Sequence, residues 1–146
     1  MADSLHQITI EANERTLYQA LTTDEGISGW WTRRCELANQ EGESSYFWFG
    51  EQRPTRFVMR SQKMLPNKRI FLVCTDGPEE WIGTELWWEI QPLQDDKCQL
   101  DFKHMNWKRD DGLFPEWNSI WGKLMTQLKH YCENATQDVN AASSLT

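Results

Sequence analysis

Catalysis by side chains alone needs a nucleophile, a base and an orienting group that converge in space, and this chain offers three histidines from which to draw the base. His6 lies in the lead-in to a first strand and His130 near the end of a long helical pattern, so both are expected in solvent. His104 differs. Its place in an alternating segment turns it to the same side as Phe102, where it is either a core histidine held by hydrogen bonds or a polar handle at the mouth of a pocket. The paired acids Glu79-Glu80, Asp95-Asp96 and Asp110-Asp111 sit in turns, where adjacent side chains diverge, so they read as solvated loops rather than an acid–base pair. No catalytic residue is assigned.

Metal and cofactor chemistry find equally little to work with. The histidines have no spacing that puts two of them four apart on a helix, and Cys35, Cys74, Cys98 and Cys132 are scattered without a C-x-x-C pair. The cysteines read as core or surface thiols. Phosphate-binding and dinucleotide glycine patterns are missing, as is the G-x-S-x-G of an esterase elbow, so no cofactor is expected.

What remains is aromatic. Nine tryptophans in 146 residues are many for one domain. Trp31, Tyr46, Trp48, Trp88, Phe102, Trp117 and Trp121 form an aromatic set spread over the strand and helix patterns, with His104 beside Phe102. Stripes of this kind are either plain core or the lining of a cavity, and flat indole faces suit an apolar or ring-shaped ligand. This set, with His104 as its polar end, is the candidate ligand-binding site.

The elements that must position these residues follow from periodicity. Ile8, Ile10 and Ala12 alternate with polar residues as in a half-buried strand. Asn13 then caps a short helix carrying Leu17, Ala20 and Leu21, and Thr23 or Asp24 caps a second that reaches Ile27. Turn-forming clusters separate candidate strands at Arg33–Ala38, Ser44–Phe49, Thr55–Met64, Arg69–Thr75, Trp81–Gln91 and Lys97–His104, a meander of antiparallel hairpins. In the last two, Leu86, Trp88 and Ile90 share a face with Cys98, Leu100, Phe102 and His104, while Glu85, Glu89 and Asp101 face water. Trp87 falls on the polar side.

After a loop over 105–114, Pro115 is placed as the first residue of a helix whose apolar stripe is Trp117, Ile120, Trp121, Leu124, Leu128 and Tyr131, widened by Met125 and Cys132. Gly122 lies off the stripe. Residues 136–146 are small and polar and read as a tail beyond a single domain over 1–135.

Strand, two short helices, six strands and one long helix is the order of the α+β helix-grip fold of the START-like, or SRPBCC, superfamily. Within it the chain resembles the branch named after the activator of Hsp90 ATPase. Ile8–Ala12, Leu17–Thr22 and Gly29–Thr32 are similar to its N-terminal third, and Trp81–Ile90, Leu100–His104 and Trp107 to its closing hairpin. The resemblance implies a curved antiparallel sheet wrapped around the C-terminal helix. It also implies binding of lipids, hormones, polyketides or other apolar molecules, polyketide cyclisation, or action on a chaperone ATPase, and fold alone does not choose among these.

The charge balance narrows the partners. Fifteen basic and twenty-two acidic residues give −7, which repels phosphate backbones, so nucleic acid is not expected. No run approaches the ~18 apolar residues of a membrane span. The first residues lack the basic start and apolar core of a secretory signal, so a cytoplasmic location is expected. The leading expectation is non-catalytic binding of a small apolar or aromatic molecule between sheet and helix. Its rivals are a polyketide cyclase, which needs a second inward acid or base near His104, and a chaperone-contacting module, for which Trp87, Trp107 and Trp30-Trp31 would supply an exposed apolar patch.

Overall fold

A computed structural model describes residues 2–50, 52 and 54–144, without the side chains of Ala2 and of 136–144. The elements run β1 (Ala2–Ile10), α1 (Glu14–Thr22), α2 (Asp24–Trp30), β2 (Arg34–Glu36), β3 (Ser44–Phe49), β4 (Thr55–Leu65), β5 (Arg69–Asp76), β6 (Glu85–Pro92), β7 (Cys98–Trp107) and α3 (Leu113–Ser144). All strands pair antiparallel in one sheet of order β1-β7-β6-β5-β4-β3-β2. This is the helix-grip architecture: α1, α2 and α3 cover one face of the sheet, and the core lies between. Residues 136–144, expected as part of a tail, continue the backbone of α3, and 145–146 lie outside the described residues.

The two short helices are set by their caps. Asn13 Oδ1 accepts from the N–H of Thr16 at 2.8 Å and opens α1. Thr23 works in both directions: its hydroxyl donates to the carbonyl of Gln19 at 2.7 Å, closing α1, and accepts from the N–H of Gly26 at 3.0 Å, opening α2. The sharp turn that results presses α2 onto α1 at Gly26. A Cβ there would sit 2.6 Å from Ala20 Cα and 2.6 Å from the carbonyl oxygen of Gln19, both backbone atoms that cannot swing away.

In β6 and β7 the expected phase holds. Leu86, Trp88, Ile90, Leu100, Phe102 and His104 are buried on the inner face, and Glu89 pairs with Asp101 on the outer one. The helical stripe also lies inward, with Trp121, Leu124, Met125, Leu128 and Cys132 buried and Trp117, Ile120 and Tyr131 packed against the core.

Three of the boundary differences have an identifiable structural reason. β6 begins at Glu85 rather than Trp81, because Trp81–Thr84 forms a turn in which Trp81 N–H bonds to the carbonyl of Pro78 and Gly83 takes φ +87°. β7 continues to Trp107 because β1 starts already at Ala2, which pairs with Trp107 and gives the extra length a partner. α3 starts at Leu113, two residues before Pro115; the first-turn N–H groups have no intrahelical acceptor, so proline is tolerated anywhere there. The N–H of Leu113 donates instead to Glu80 Oε1 at 3.3 Å, which gives that turn acid a capping role.

Gly26→Ala is expected to destabilise the fold by about 1–3 kcal/mol through overpacking against fixed backbone. Urea denaturation measures this, and a loss under about half a kcal/mol would show that α1 and α2 can separate freely.

Candidate functional site

The inner face of β6 and β7 presents Trp88, Phe102 and His104 upward, and α3 lowers Trp121 onto them. The Trp121 ring lies 4.3 Å from Phe102, 5.9 Å from Trp88 and 5.9 Å from His104, measured between centroids. Trp31, at the end of α2, closes the other side at 5.1 Å from Trp121, and Trp117 sits one turn back along α3 at 5.9 Å. Rings at these separations are in mutual contact. Six of the expected site residues, Trp31, Trp88, Phe102, His104, Trp117 and Trp121, therefore do come together, and ring atoms fill the interval between sheet and helix at this level.

Tyr46 and Trp48 do not join them. The inward residue of β3 is Phe47, 1% exposed and 4.9 Å from Trp31, so its neighbours Tyr46 and Trp48 lie on the outer face, stacked on each other at 6.2 Å. The segment Tyr46–Phe49 is aromatic at every position, and a pattern without polar residues carries no phase. The positions the sequence expectation lacks are Phe47, Phe57, Trp81 and Trp107. Trp81 contacts Phe57 and Trp117, both at 4.7 Å, and is fully buried.

Trp107 and Trp30, expected as parts of an exposed patch, are 0% and 3% exposed. Trp87 is half-buried and stacked on Phe71 at 3.9 Å on the outer face. His6, expected in solvent, turns inward over Phe102 at 6.3 Å and meets Ser4 Oγ at 3.1 Å. It lies beside Gly122, where a Cβ would touch its ring edge at 3.8 Å.

His104 is fully buried, with Trp81 and Trp107 rings at 4.4 and 4.6 Å. Its hydrogen bonds fix its tautomer. An indole N–H only donates, so the 3.0 Å contact from Trp121 Nε1 makes His104 Nδ1 an acceptor. Nε2 then carries the proton and donates to Thr84 Oγ1 at 2.9 Å, while the Thr84 hydroxyl donates to the carbonyl of Trp81 at 2.6 Å. Burial pushes the His104 pKa down to about 3, and both ring nitrogens are already engaged. It holds a proton in place and has none to trade. Among the described residues no carboxylate is buried, and the second inward base is His6, on the far side of Phe102 from Trp88 along β1.

The thiols are equally inert, since burial raises Cys74 and Cys98 to about 11 and Cys132 to about 12. Among the described residues no three His, Cys, Asp or Glu side chains converge as metal ligands, and no helix is long and apolar enough to cross a membrane.

Hollows lie on the surface instead. One of about 400 Å³ runs between α1 and the late part of α3, bordered by Thr16, Gln19, Thr23, Glu25 and Tyr131.

The sequence model of one family, described as "Activator of Hsp90 ATPase homolog 1-like protein", matches residues 11–133. The chain belongs to this family. No curated protein sequence matches it. Among solved structures, the Aha1 dimer from Colwellia psychrerythraea is 30% identical, with a TM-score of 0.80 over 91% of this chain and 97% of that one. A protein of Mesorhizobium loti is 12% identical with a TM-score of 0.78, covering 91% of this chain and 98% of that one, and a protein of Nitrosomonas europaea is 15% identical at 0.77, covering 92% and 96%. The last two likenesses concern the fold alone. Membership in the Hsp90-activator-like family supports a ligand-binding or chaperone-related module.

His104→Leu should cost about 2–4 kcal/mol, because it strands the Trp121 N–H and the Thr84 hydroxyl in the core. The pH dependence has a defined sign. The folded pKa lies below the ordinary 6.5, so the unfolded chain takes up the proton first and stability falls as pH drops from about 6.5 towards about 3. Denaturation midpoints of wild type and His104→Leu over that range should converge as pH falls. Parallel curves would place the acid loss elsewhere.

Proposed function

We propose that this chain is a non-catalytic binding module that works through its surface on a protein partner of the Hsp90-type ATPase class. The observation that carries this reading is the packing between sheet and helix: Trp31, Trp88, Phe102 and Trp117 each meet the fully buried Trp121 ring, which supports a closed core over a ligand cavity. His104, the most promising acid–base group in sequence, is saturated with hydrogen bonds and kept neutral, which supports binding over proton transfer. Family membership and the 30% identity to an Aha1 protein support the chaperone class of partner.

A second reading has one observation in its favour. Trp31 is half-buried beside Phe49, which in turn meets Trp117, and its indole N–H is buried without an acceptor. An apolar or aromatic molecule with one polar atom would satisfy it by slipping between these rings.

Two measurements separate the readings. ATP turnover of a purified Hsp90-type chaperone should rise saturably on addition of this protein, with complex formation seen by calorimetry; neither a rise nor a complex would overturn the first reading. Native mass spectrometry of freshly purified protein should show the bare chain mass. A co-purifying small molecule whose capture is lost in Trp31→Phe would establish the second reading instead.

A further inference from the structure

The three helices cover one face of the sheet and leave the other without a covering element among the described residues. That outer face carries an excess of cations at one end. Cross-strand register sets Arg34, Trp48 and Arg56 in one row over β2–β4, and Glu36, Tyr46 and Val58 in the next. Arg60 follows beside Ser44 and Val73, and Lys63 beside Phe71. The acids Glu85, Glu89 and Asp101 lie at the opposite end, on β6 and β7, with Lys103 among them and Arg69 of β5 paired with Glu89 at 3.9 Å.

Two features make the first end more than a few surface cations. The Arg34 guanidinium lies over the Trp48 ring at 4.8 Å and that of Arg56 near the Tyr46 ring at 5.9 Å. A guanidinium carries its N–H donors in its own plane, so stacking on a ring holds it still while leaving the donor edge open. Arg56 is also paired with Asp76 at 3.1 Å, whereas among the described residues Arg34, Arg60 and Lys63 have no ion pair. Arg34, without an ion pair among the described residues and held over Trp48, has the open donor edge that recognises carboxylates, and Arg60 and Lys63 add unpaired charge beside it.

We propose that this basic, aromatic end of the outer sheet face, centred on Arg34, Trp48, Arg56 and Arg60, docks a short acidic segment of a partner protein. The inference rests on the protein-binding function above and names its surface. Strand addition at the neighbouring edge is disfavoured, because Asp24 Oδ1 already accepts from the N–H of Leu37 at 2.7 Å beside β2, so docking is through the face. A polynucleotide fits less well. The patch reaches only from β2 to β4, and a longer polyanion would run onto Glu85, Glu89 and Asp101 in the field of a chain with net charge −7.

The test uses the full chain and a synthetic peptide rich in Asp and Glu and free of aromatics, followed by tryptophan emission and calorimetry. Saturable binding that weakens as salt rises is expected, with about a tenfold loss in Arg34→Glu/Arg60→Glu. Lys108→Glu/Lys123→Glu makes the same change in net charge elsewhere and should bind like wild type. Equal affinity in wild type and the Arg34→Glu/Arg60→Glu variant, or tighter binding of a charge-matched single-stranded oligonucleotide, overturns the proposal. Thermal melting confirms that both variants are folded. Chaperone stimulation that survives the Arg34→Glu/Arg60→Glu change sinks this docking site alone, while peptide binding without any chaperone stimulation sinks the chaperone reading alone.

Discussion

The fold is organised around one chain of hydrogen bonds that runs from Trp121 Nε1–H to His104 Nδ1, from His104 Nε2–H to Thr84 Oγ1, and from the Thr84 hydroxyl to the carbonyl of Trp81. Burying an imidazole is costly unless both nitrogens are engaged, and here each has a partner. The chain joins α3, β7 and the turn before β6, three pieces that hydrophobic burial alone could slide past one another. Because every donor has a fixed direction, it also sets the rotation of α3. With Trp121 anchored, Trp117 falls one turn away over Trp81 and Phe57, and Leu124 and Leu128 follow the same side inward.

That anchoring bears on function. A helix pinned to the sheet through its central tryptophan has little room for a guest, and the rings close the space that a looser grip would leave open. Several indole N–H groups, those of Trp81 and Trp107 among them, are buried without an acceptor. Their neighbours are ring faces in edge-on contact, which are weak acceptors at best. Cohesion of the core thus comes from apolar area and a few satisfied polar contacts, the His104 chain and the Trp30 indole bond to the carbonyl of Ala20 among them. The proposed recognition lies on the outside, where Arg34, Arg56, Arg60 and Lys63 gather at one end of the sheet face.

Much of this architecture was legible in the sequence wherever polar and apolar residues alternate. β6 and β7 gave their phase because Glu85, Glu89 and Asp101 punctuate the apolar set, and α3 showed its stripe for the same reason at helical spacing. Asn13 and Thr23 marked helix starts through side chains that accept backbone N–H groups. β3 failed because Tyr46 to Phe49 has no polar residue to fix the phase, so Tyr46 and Trp48 were placed inside when Phe47 belongs there.

Trp81 and Trp107 were missed for a different reason. Trp81 lies in a tight turn, bonded to the carbonyl of Pro78, that interrupts the alternation, and Trp107 in a strand extension that depends on Ala2, a pairing of which local spacing carries no trace. His104 was recognised as inward, but its partners are 17 and 20 residues away in sequence, so whether it faced a cavity or a filled core was not written in its own segment.

The polar chain is also the most directly measurable part of the account. Long-range proton–nitrogen NMR of the imidazole reports which nitrogen of His104 carries the proton and at what pH the second arrives. The hydrogen bonds require the Nε2–H form with Nδ1 unprotonated, persisting down to about pH 4 in the folded protein. An imidazolium forming near the ordinary value of 6.5, or a proton on Nδ1, would mean that Trp121 does not donate to His104, and the pinned helix and filled interior would lose their basis.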